Sequence, residues 1–378
     1  MIQGIKIRLY PTKDQEELMW EHVHASRFIY NYMLALQNEN HSNGKSYLSR
    51  FDMIKLLTPL KKESGFEWLT EVSSKTLQRV CGDVNESFTR FFNKQSKHPK
   101  FKRRKTAKSN FPIRSDNLFF RGGCAKFEKI GFVKYKTDRD LPSGRGFKYI
   151  NARVSFSNGK WILSFGIECE NQAQKLNDYS MGIDLGIKDL ATVSYGDDSL
   201  VFHNINKSKT VRKLRRNIRN LQHKISRKYR QNKCGNKFVK TRNIERCEAT
   251  LKRMYTRLSN IHSNYIHQTT HTLVSFLPKR VVMEDLNILG MMKNSHLSKA
   301  VQDQCFYEFI RQMKYKCEWN GIEFVQADRF YPSSKICSCC GNVKKDLKLK
   351  DRTFVCSECG FTLDRDLNAS INLMRYEG

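Results

Sequence analysis

The residues best suited to chemistry lie in a few short segments. In ICSCCGNVKKDLKLKDRTFVCSECGF, Cys337 and Cys340 are spaced C-x-x-C, Cys356 and Cys359 repeat the spacing, and fifteen residues separate the pairs. Gly341 and Gly360 follow the pairs, where a tight knuckle needs positive φ. Four thiolates suit one tetrahedral Zn²⁺, and this spacing is a zinc-ribbon pattern. All four positions are filled by protein, so the metal is structural and the segment depends on it to fold. Cys339 breaks the spacing and is left out of the set. Cys81, Cys124, Cys169, Cys234, Cys247, Cys305 and Cys317 are scattered and read as small hydrophobes.

Carboxylates are the second constellation. Asp184 stands in the apolar run MGIDLGI. An acid there is costly unless it is paired or binds metal. On a strand Gly182, Asp184 and Gly186 share a face, and the small neighbours are expected to leave the carboxylate open to a ligand. RVVMEDLNI is a short apolar strand ending in Glu284 and Asp285, of which only one can share a face with Val282. FTLDRDLNASINLM opens a helix near Asp364–Asp366, where the dipole favours acids. Two strand-end acids and one at a helix start can converge on two Mg²⁺, which take hard oxygen ligands. Such a pair of metals stabilises the attacking and leaving oxygens of phosphodiester hydrolysis. Taken singly, each acid has a plain structural explanation as a turn, strand-end or helix-start residue.

These residues must be positioned by several layers of structure. Residues 5–9 alternate apolar and basic, as a strand does, until Pro11. Thr12 with Gln15 reads as a capping box opening a helix to about Asn40, and further helices follow Ser49 and Ser73–Ser74. Residues 110–170 turn to strand patterns, with Asn158–Gly159 as a two-residue hairpin signal, and this β region is expected to recruit the N-terminal strand. NQAQKLND, 171–178, reads as a linker. From 179 the order is strand, hairpin with a turn near Gly196–Asp198, two long helices (one within 207–242, the second about 243–276), strand, helix, strand.

The chain has 378 residues and a formal net charge of +31, from 68 Lys and Arg against 37 acids. That excess excludes an ordinary metabolic enzyme and points to a polyanion. No apolar run approaches the ~20 residues that span a bilayer, and the N-terminus lacks a signal-peptide core. A cytoplasmic, nucleoid-associated protein without a membrane partner is expected. Lys94–Lys108 holds eight Lys or Arg in fifteen residues and no acid; 207–242 holds fifteen and no acid. Lys100, Lys102, Arg103, Arg104 and Lys105 in the first block, and Arg212, Arg215, Arg216 and Arg219 in the second, are the candidate phosphate contacts. Among the aromatics beside the first block (Phe91, Phe92, Phe101, Phe111, Phe119 and Phe120), most are expected in the core and some on unpaired bases. The ten histidines show no ligand spacing. Ser333, Ser334 and Lys335 are candidate substrate contacts.

Together IDLGIKDLATVS, VVMEDLNI, YPSSKICSCCG, FVCSECGFTLDRDLNASINL and PKFKRRK resemble the TnpB family, the transposon-associated RNA-guided nucleases related to type V CRISPR effectors. The resemblance runs along essentially the whole chain and is most specific in its C-terminal half. It implies an α/β multidomain fold with an RNase H-like RuvC nuclease domain (179–332 and 362–378, with a basic helical hairpin at 207–276) interrupted by a zinc-ribbon insertion at 333–361. It further implies a wedge-like β-barrel domain (1–11 and 109–172) and a helical recognition domain with a basic boundary (12–108). Asp184 matches the family's first-strand aspartate, Glu284 its central glutamate and Asp366 its third acid, with Asp364 as the alternative. The implied cofactors are two catalytic Mg²⁺ and one structural Zn²⁺. The implied partners are a guide RNA and double-stranded target DNA, with the protein monomeric in a ribonucleoprotein that recognises a target-adjacent motif. Ser370 stands where the family often has alanine, and a helix-surface position is expected for it. A DDE-type transposase and a non-catalytic zinc-ribbon nucleic-acid binder are the competing readings.

Overall fold

The computed structural model describes residues 2–115, 118–137, 141, 149–169, 174–348 and 350–377. It divides into two compact units, Met1–Glu170 and Asn171–Gly378.

In the first unit, β1 (Ile2–Tyr10) buries alternate residues, Ile5, Ile7 and Leu9. The helix α1 (Lys13–Ser42) opens with the expected capping box. Thr12 Oγ1 accepts from the Gln15 N–H at 3.3 Å, and Gln15 Oε1 accepts from the Thr12 N–H at 3.1 Å. Such a cap contributes about 1 kcal/mol. Ser49 caps α2 (Arg50–Leu60) and Ser73 caps α3 (Ser74–Phe92). The three helices share a core that includes Ile29, Met33, Leu57, Leu77 and Val84. Strands β2 (Ser109–Pro112), β3 (Phe119–Arg121), β4 (Cys124–Phe127), β5 (Gly131–Lys136), β6 (Ile150–Ser157) and β7 (Lys160–Glu168) join β1 in an antiparallel sheet of order β2-β6-β7-β1-β5-β4-β3. The N-terminal strand is therefore central. Asn158 (φ 53°) and Gly159 (φ 74°) make the β6–β7 turn, both in the left-handed region that a two-residue hairpin uses. Every strand of the sheet feeds one core, from Phe111 on β2 to Phe120 on β3, so the sheet curls around its own interior. Its edges, β2 and β3, do not pair with each other among the described residues. Phe111 and Phe120 are buried, whereas Phe92 and Phe101 are exposed.

The second unit begins with β8 (Asn177–Leu185), β9 (Asp189–Tyr195) and β10 (Asp198–His203), an antiparallel meander. The basic hairpin follows as α4 (Lys209–Gln231) and α5 (Arg242–Ser275), joined by the short strands β11 (Lys233–Cys234) and β12 (Lys237–Phe238). Then come β13 (Pro278–Glu284), α6 (Ile288–Lys293), α7 (Ser298–Gln304), α8 (Phe306–Asn320) and β14 (Glu323–Ala327). The small hairpin β15 (Thr353–Val355) and β16 (Thr362–Asp364) leads into α9 (Arg365–Met374). The main sheet has the order β10-β9-β8-β13-β14, with β13 parallel to both β8 and β14.

Two stretches depart from the sequence boundaries. Segment 171–178 is not all linker: β8 starts at Asn177, whose side-chain amide donates to the Phe276 carbonyl at 2.8 Å, while 171–173 lie outside the described residues. The ribbon's second hairpin runs to Asp364, past the expected limit of 361, because Asp364 both pairs with Thr353 and caps α9.

Period-two alternation gives the sheet two covered faces. Met181, Ile183, Val281 and Met283 pack with Ile266, Leu273, Phe309 and Met313 of α5 and α8. On the opposite face Val282 and Ala327 pack with Leu373 of α9. Gly182 is what lets α9 approach: a Cβ there would lie 2.0 Å from the Ser370 carbonyl oxygen and 2.3 Å from the Met374 nitrogen. The expectation that Gly182 keeps the surface open for a ligand is thus corrected, since helix backbone fills that space. Ser370 is likewise not a surface residue. It is fully buried, and its hydroxyl meets that of Ser194 at 2.7 Å. Of the scattered cysteines only Cys81 and Cys317 are buried in the cores; Cys234 is exposed in the hairpin connection.

Candidate functional site

The strand register assembles the first two carboxylates. Parallel β8 and β13 pair as far as Ile183 with Met283. One residue further, Asp184 and Glu284 stand side by side at the two strand ends, on the face that Gly182 and Val282 present to α9. Asp285 points elsewhere and is clamped by Arg329 at 2.6 and 2.9 Å.

The third carboxylate comes from α9, and the two neighbouring aspartates have different surroundings. Asp364 is the N-cap: its Oδ1 accepts from the N–H groups of Asp366 (3.0 Å) and Leu367 (3.2 Å). Asp366 lies in the first turn, with Arg365 donating to its Oδ1 at 2.8 and 3.1 Å.

Asp184 feels all of them. Burial raises its carboxyl well above the usual range, the charges of Glu284 and then Asp366 add to this, Arg365 opposes it, and Asp364 contributes least. Burial also raises Glu284; the Ser333 hydroxyl, donating to its Oε1, opposes this, and Asp366 raises it further. Ionising these carboxyls together is therefore opposed by burial and by their mutual charge.

In metal-free protein, carboxyls raised above their unfolded values stabilise at low pH, and that contribution is lost as pH climbs through the folded pKa. Asp184→Asn is thus expected to match the native chain near pH 4. Its melting temperature should exceed the native value by a few degrees at pH 7. Thermal melts across that range check it; a variant less stable at pH 7 than the native chain contradicts the account.

The four cysteine sulfurs lie within 4.8 Å of one another. Cys337 Sγ is 3.7 Å from Cys359 Sγ, and Cys340 Sγ is 3.6 Å from Cys356 Sγ. A tetrahedron with Zn–S near 2.3 Å has edges of about 3.8 Å, so the set fits a structural metal such as zinc. Gly341 (φ 76°) and Gly360 (φ 68°) form the knuckles. Backbone N–H groups of Cys359 and Glu358 lower the Cys356 thiol to about 6 against the opposing effect of burial, while hydrogen bonds with neighbouring thiols help raise Cys359 to about 12. Among the described residues no other group of three or more such ligands is drawn together closely enough to hold an ion as it stands. The three carboxylates are not drawn together to that degree.

The basic residues divide into free and committed. Lys100, Arg103, Arg104 and Lys105 are exposed. Lys102 is half-buried: its Nζ lies 3.4 Å from the Tyr30 ring centroid, burial lowers its amine to about 8, and Asn31 bonds its backbone on both sides. With Arg27, Lys108 and Arg153 it lines a cavity of about 270 Å³ in which Asp83 is the one acidic lining residue among the described residues. On α4, Val211, Leu214, Ile218 and Ile225 are buried, leaving Arg212, Arg216 and Arg219 on the exposed side. Arg215 is engaged instead with Asp303 and Asn206, each at 2.8 Å.

Several residues of this site were not legible as such. Ser333 was a candidate substrate contact, yet it is 2% exposed and its hydroxyl is spent on Glu284. Arg365 shows in the sequence only as a base between two acids. Asn368 and Asn372, an i, i+4 pair, are the one helical signal for a polar stripe on α9.

No helix among the described residues is long and apolar enough to cross a membrane. Three family models match: "Helix-turn-helix domain" over residues 1–46, "Probable transposase" over 164–295 and "Cas12f1-like, TNB domain" over 306–373. The first of these covers β1 and the single helix α1. The chain is 30% identical to "Putative RNA-guided DNA endonuclease InsQ" of Escherichia coli (strain K12), over 99% of this chain and 92% of that protein. It is 21% identical to "TnpB-like protein L770" of Acanthamoeba polyphaga mimivirus, over 99% of this chain and 73% of that one. Its fold is similar to that of the protein in a cryo-EM structure of a Cas12f1–sgRNA–target DNA complex, with a TM-score of 0.55 and 11% identity over 99% of this chain and 98% of that one. A relative matched at that identity along nearly its whole length places the assignment beyond local motifs: the chain belongs to the TnpB family.

Proposed function

We propose that this protein is an RNA-guided DNA endonuclease that binds a transposon-derived guide RNA, recognises a target-adjacent motif and hydrolyses target DNA at Asp184, Glu284 and Asp366. The observation that carries the reading is the convergence of these acids from two neighbouring parallel strand ends and one helix start, where a bound cation would relieve the cost of ionising them together. The β10-β9-β8-β13-β14 order supports an RNase H-like, RuvC-type domain, with the ribbon inserted between β14 and α9. The curled sheet and the three N-terminal helices are then the wedge and recognition domains.

Hard carboxylate oxygens in a site short of positive charge fit Mg²⁺. Asp184, Glu284 and Asp366 would hold it, and bound metal would supply charge stabilisation at the attacking and leaving oxygens. The chain's own part is to fix those oxygens: the sheet register sets Asp184 and Glu284, and Arg365 orients Asp366. Zn²⁺ at the four cysteines is structural.

Asp364 and Asp366 separate cleanly. Asparagine caps helices about as well as aspartate. Asp364→Asn is expected to keep cleavage within about threefold, whereas Asp366→Asn lowers it by ~10³-fold, as loss of a few kcal/mol of metal-site stabilisation would. Equal losses in single-turnover cleavage would overturn the assignment of Asp366.

The guide–target duplex would be read through its phosphates. Arg212, Arg216 and Arg219, one exposed stripe of α4, are the contacts proposed, together with Lys100, Arg103, Arg104 and Lys105. Replacing the three α4 arginines with glutamine is expected to reduce the log–log salt slope of RNA binding by about 1 for each contact removed. An unchanged slope would mean that this stripe faces only solvent.

The "Probable transposase" description of one matching family keeps a guide-free strand-transfer reading alive. One experiment decides between them. The protein is purified from cells carrying its native flanking DNA, and the RNA that accompanies it is sequenced. A single abundant species that programmes Mg²⁺-dependent cleavage supports the guided nuclease; heterogeneous, salt-removable RNA with no programmed cleavage overturns it.

A further inference from the structure

The polar contacts around Ser333 exceed what packing α9 on the sheet requires. Asn368 and Asn372 project from α9 at 0% and 4% exposure. Asn372 Nδ2 donates to the carbonyl oxygens of Ser333 and Ile336, each at 2.7 Å. Asn368 Nδ2 donates to the same Ile336 carbonyl at 2.7 Å, and its Oδ1 accepts from the Ser338 N–H at 3.0 Å. The Arg375 guanidinium donates to the Ser338 carbonyl, and Tyr331 Oη donates to the Asn372 carbonyl at 3.2 Å. The segment 333–338 is thus gripped along its backbone by one helix. Cys337, the first cysteine of the ribbon, lies inside the grip and is 1% exposed. At the near end of the segment, the Ser333 hydroxyl donates to Glu284 Oε1. Burying amides and a hydroxyl is costly unless every group is paired, so a satisfied network of this kind fixes geometry. Apolar side chains would dock the helix equally well but could not aim a carboxylate.

We propose that Ser333 is a positioning residue for Glu284, held in register by the dock of the zinc ribbon's first knuckle on Asn368 and Asn372. The inference rests on the nuclease reading and adds to it a residue that touches no reacting atom. The hydroxyl takes up one lone pair of Glu284 Oε1 and leaves the rest of the carboxylate to face Asp184. The ribbon then serves the site from both ends: its first knuckle sets Ser333, and its last strand supplies the Asp364 cap of the helix that carries Asp366.

The test compares Ser333→Thr with Ser333→Val, near-isosteric side chains that differ in the hydroxyl. Full-length protein with its guide RNA is titrated with Mn²⁺, and free Mn²⁺ is read by electron paramagnetic resonance. Uptake by Asp184→Ala gives the background from RNA. The valine variant is expected to bind site-specific Mn²⁺ about tenfold more weakly than the native protein, the effect of losing a hydrogen bond to a charged group. The threonine variant should stay within about threefold of native, and both should keep one zinc per chain. Equal Mn²⁺ affinities for the two variants overturn the role of Ser333, whatever their stabilities, because volume and packing are matched. The nuclease reading fails separately, if Asp184→Ala binds Mn²⁺ and cleaves like the native protein.

Discussion

Asp184→Ala is expected to abolish programmed cleavage, lowering the single-turnover rate by at least ~10³-fold, the effect of losing about 4 kcal/mol of transition-state stabilisation. Asp184 stands at the centre of the site's electrostatics. It lies beside Glu284 in the strand register, and the charges of Glu284 and Asp366 both act on it. Removing it leaves two acids that come from different elements. Guide RNA affinity should change by less than about twofold, because the proposed phosphate contacts lie on α4 and in the basic stretch after α3. The loss belongs to chemistry and not to folding, since removing one of several like charges relieves repulsion in the metal-free protein. Cleavage at saturating guide and Mg²⁺ is the measurement. Residual activity above a tenth of native would sink the assignment of the catalytic site.

Gly182→Ala tests the same site without touching a carboxylate. Its new methyl would sit 2.0 Å from one backbone atom of α9 and 2.3 Å from another. Both obstructing atoms are main chain, so no rotamer change relieves the clash, and the helix has to retreat by about 1 Å or more to regain van der Waals distance. Overpacking of this kind costs roughly 1–3 kcal/mol. Retreat also parts the Ser194 and Ser370 hydroxyls, now 2.7 Å apart, and both are buried away from replacement water. Asp366 moves with the helix. A displacement of ~1 Å in a catalytic group can lower a rate by ~10²-fold, and we expect at least that loss here. A fall of several degrees in melting temperature should accompany it, with the RNA retained. Cleavage within threefold of native would mean that α9 docks with more slack than its contacts imply.

Much of this protein is decided within short windows of sequence. Thr12 and Gln15 make a capping box wherever the chain puts them, because both partners lie within one turn. Asn158–Gly159 makes its hairpin for the same local reason, since both residues tolerate positive φ. The doubled C-x-x-C announces its metal, because knuckle geometry and ligand chemistry are both local. Asp184 and Glu284 stand out because ionised acids are out of place in apolar strands.

What lay beyond the sequence depends on partners far along the chain. Gly182 reads as an opening and is a docking surface, because its neighbour is a helix nearly 190 residues later. Ser370 reads as a surface residue and is buried against Ser194, 176 residues away. Arg215 is one more cation in a basic run until Asp303 meets it. Ser333 looks available to substrate until Glu284, 49 residues earlier, takes its hydroxyl. Asp364 and Asp366 are indistinguishable as letters. Only the helix start distinguishes them, turning one carboxylate onto the helix's own N–H groups and letting the other act more strongly on Asp184. Residue type and spacing determine which chemistry the chain can do, whereas the charge, burial and aim of each group depend on neighbours that only the tertiary fold brings into contact.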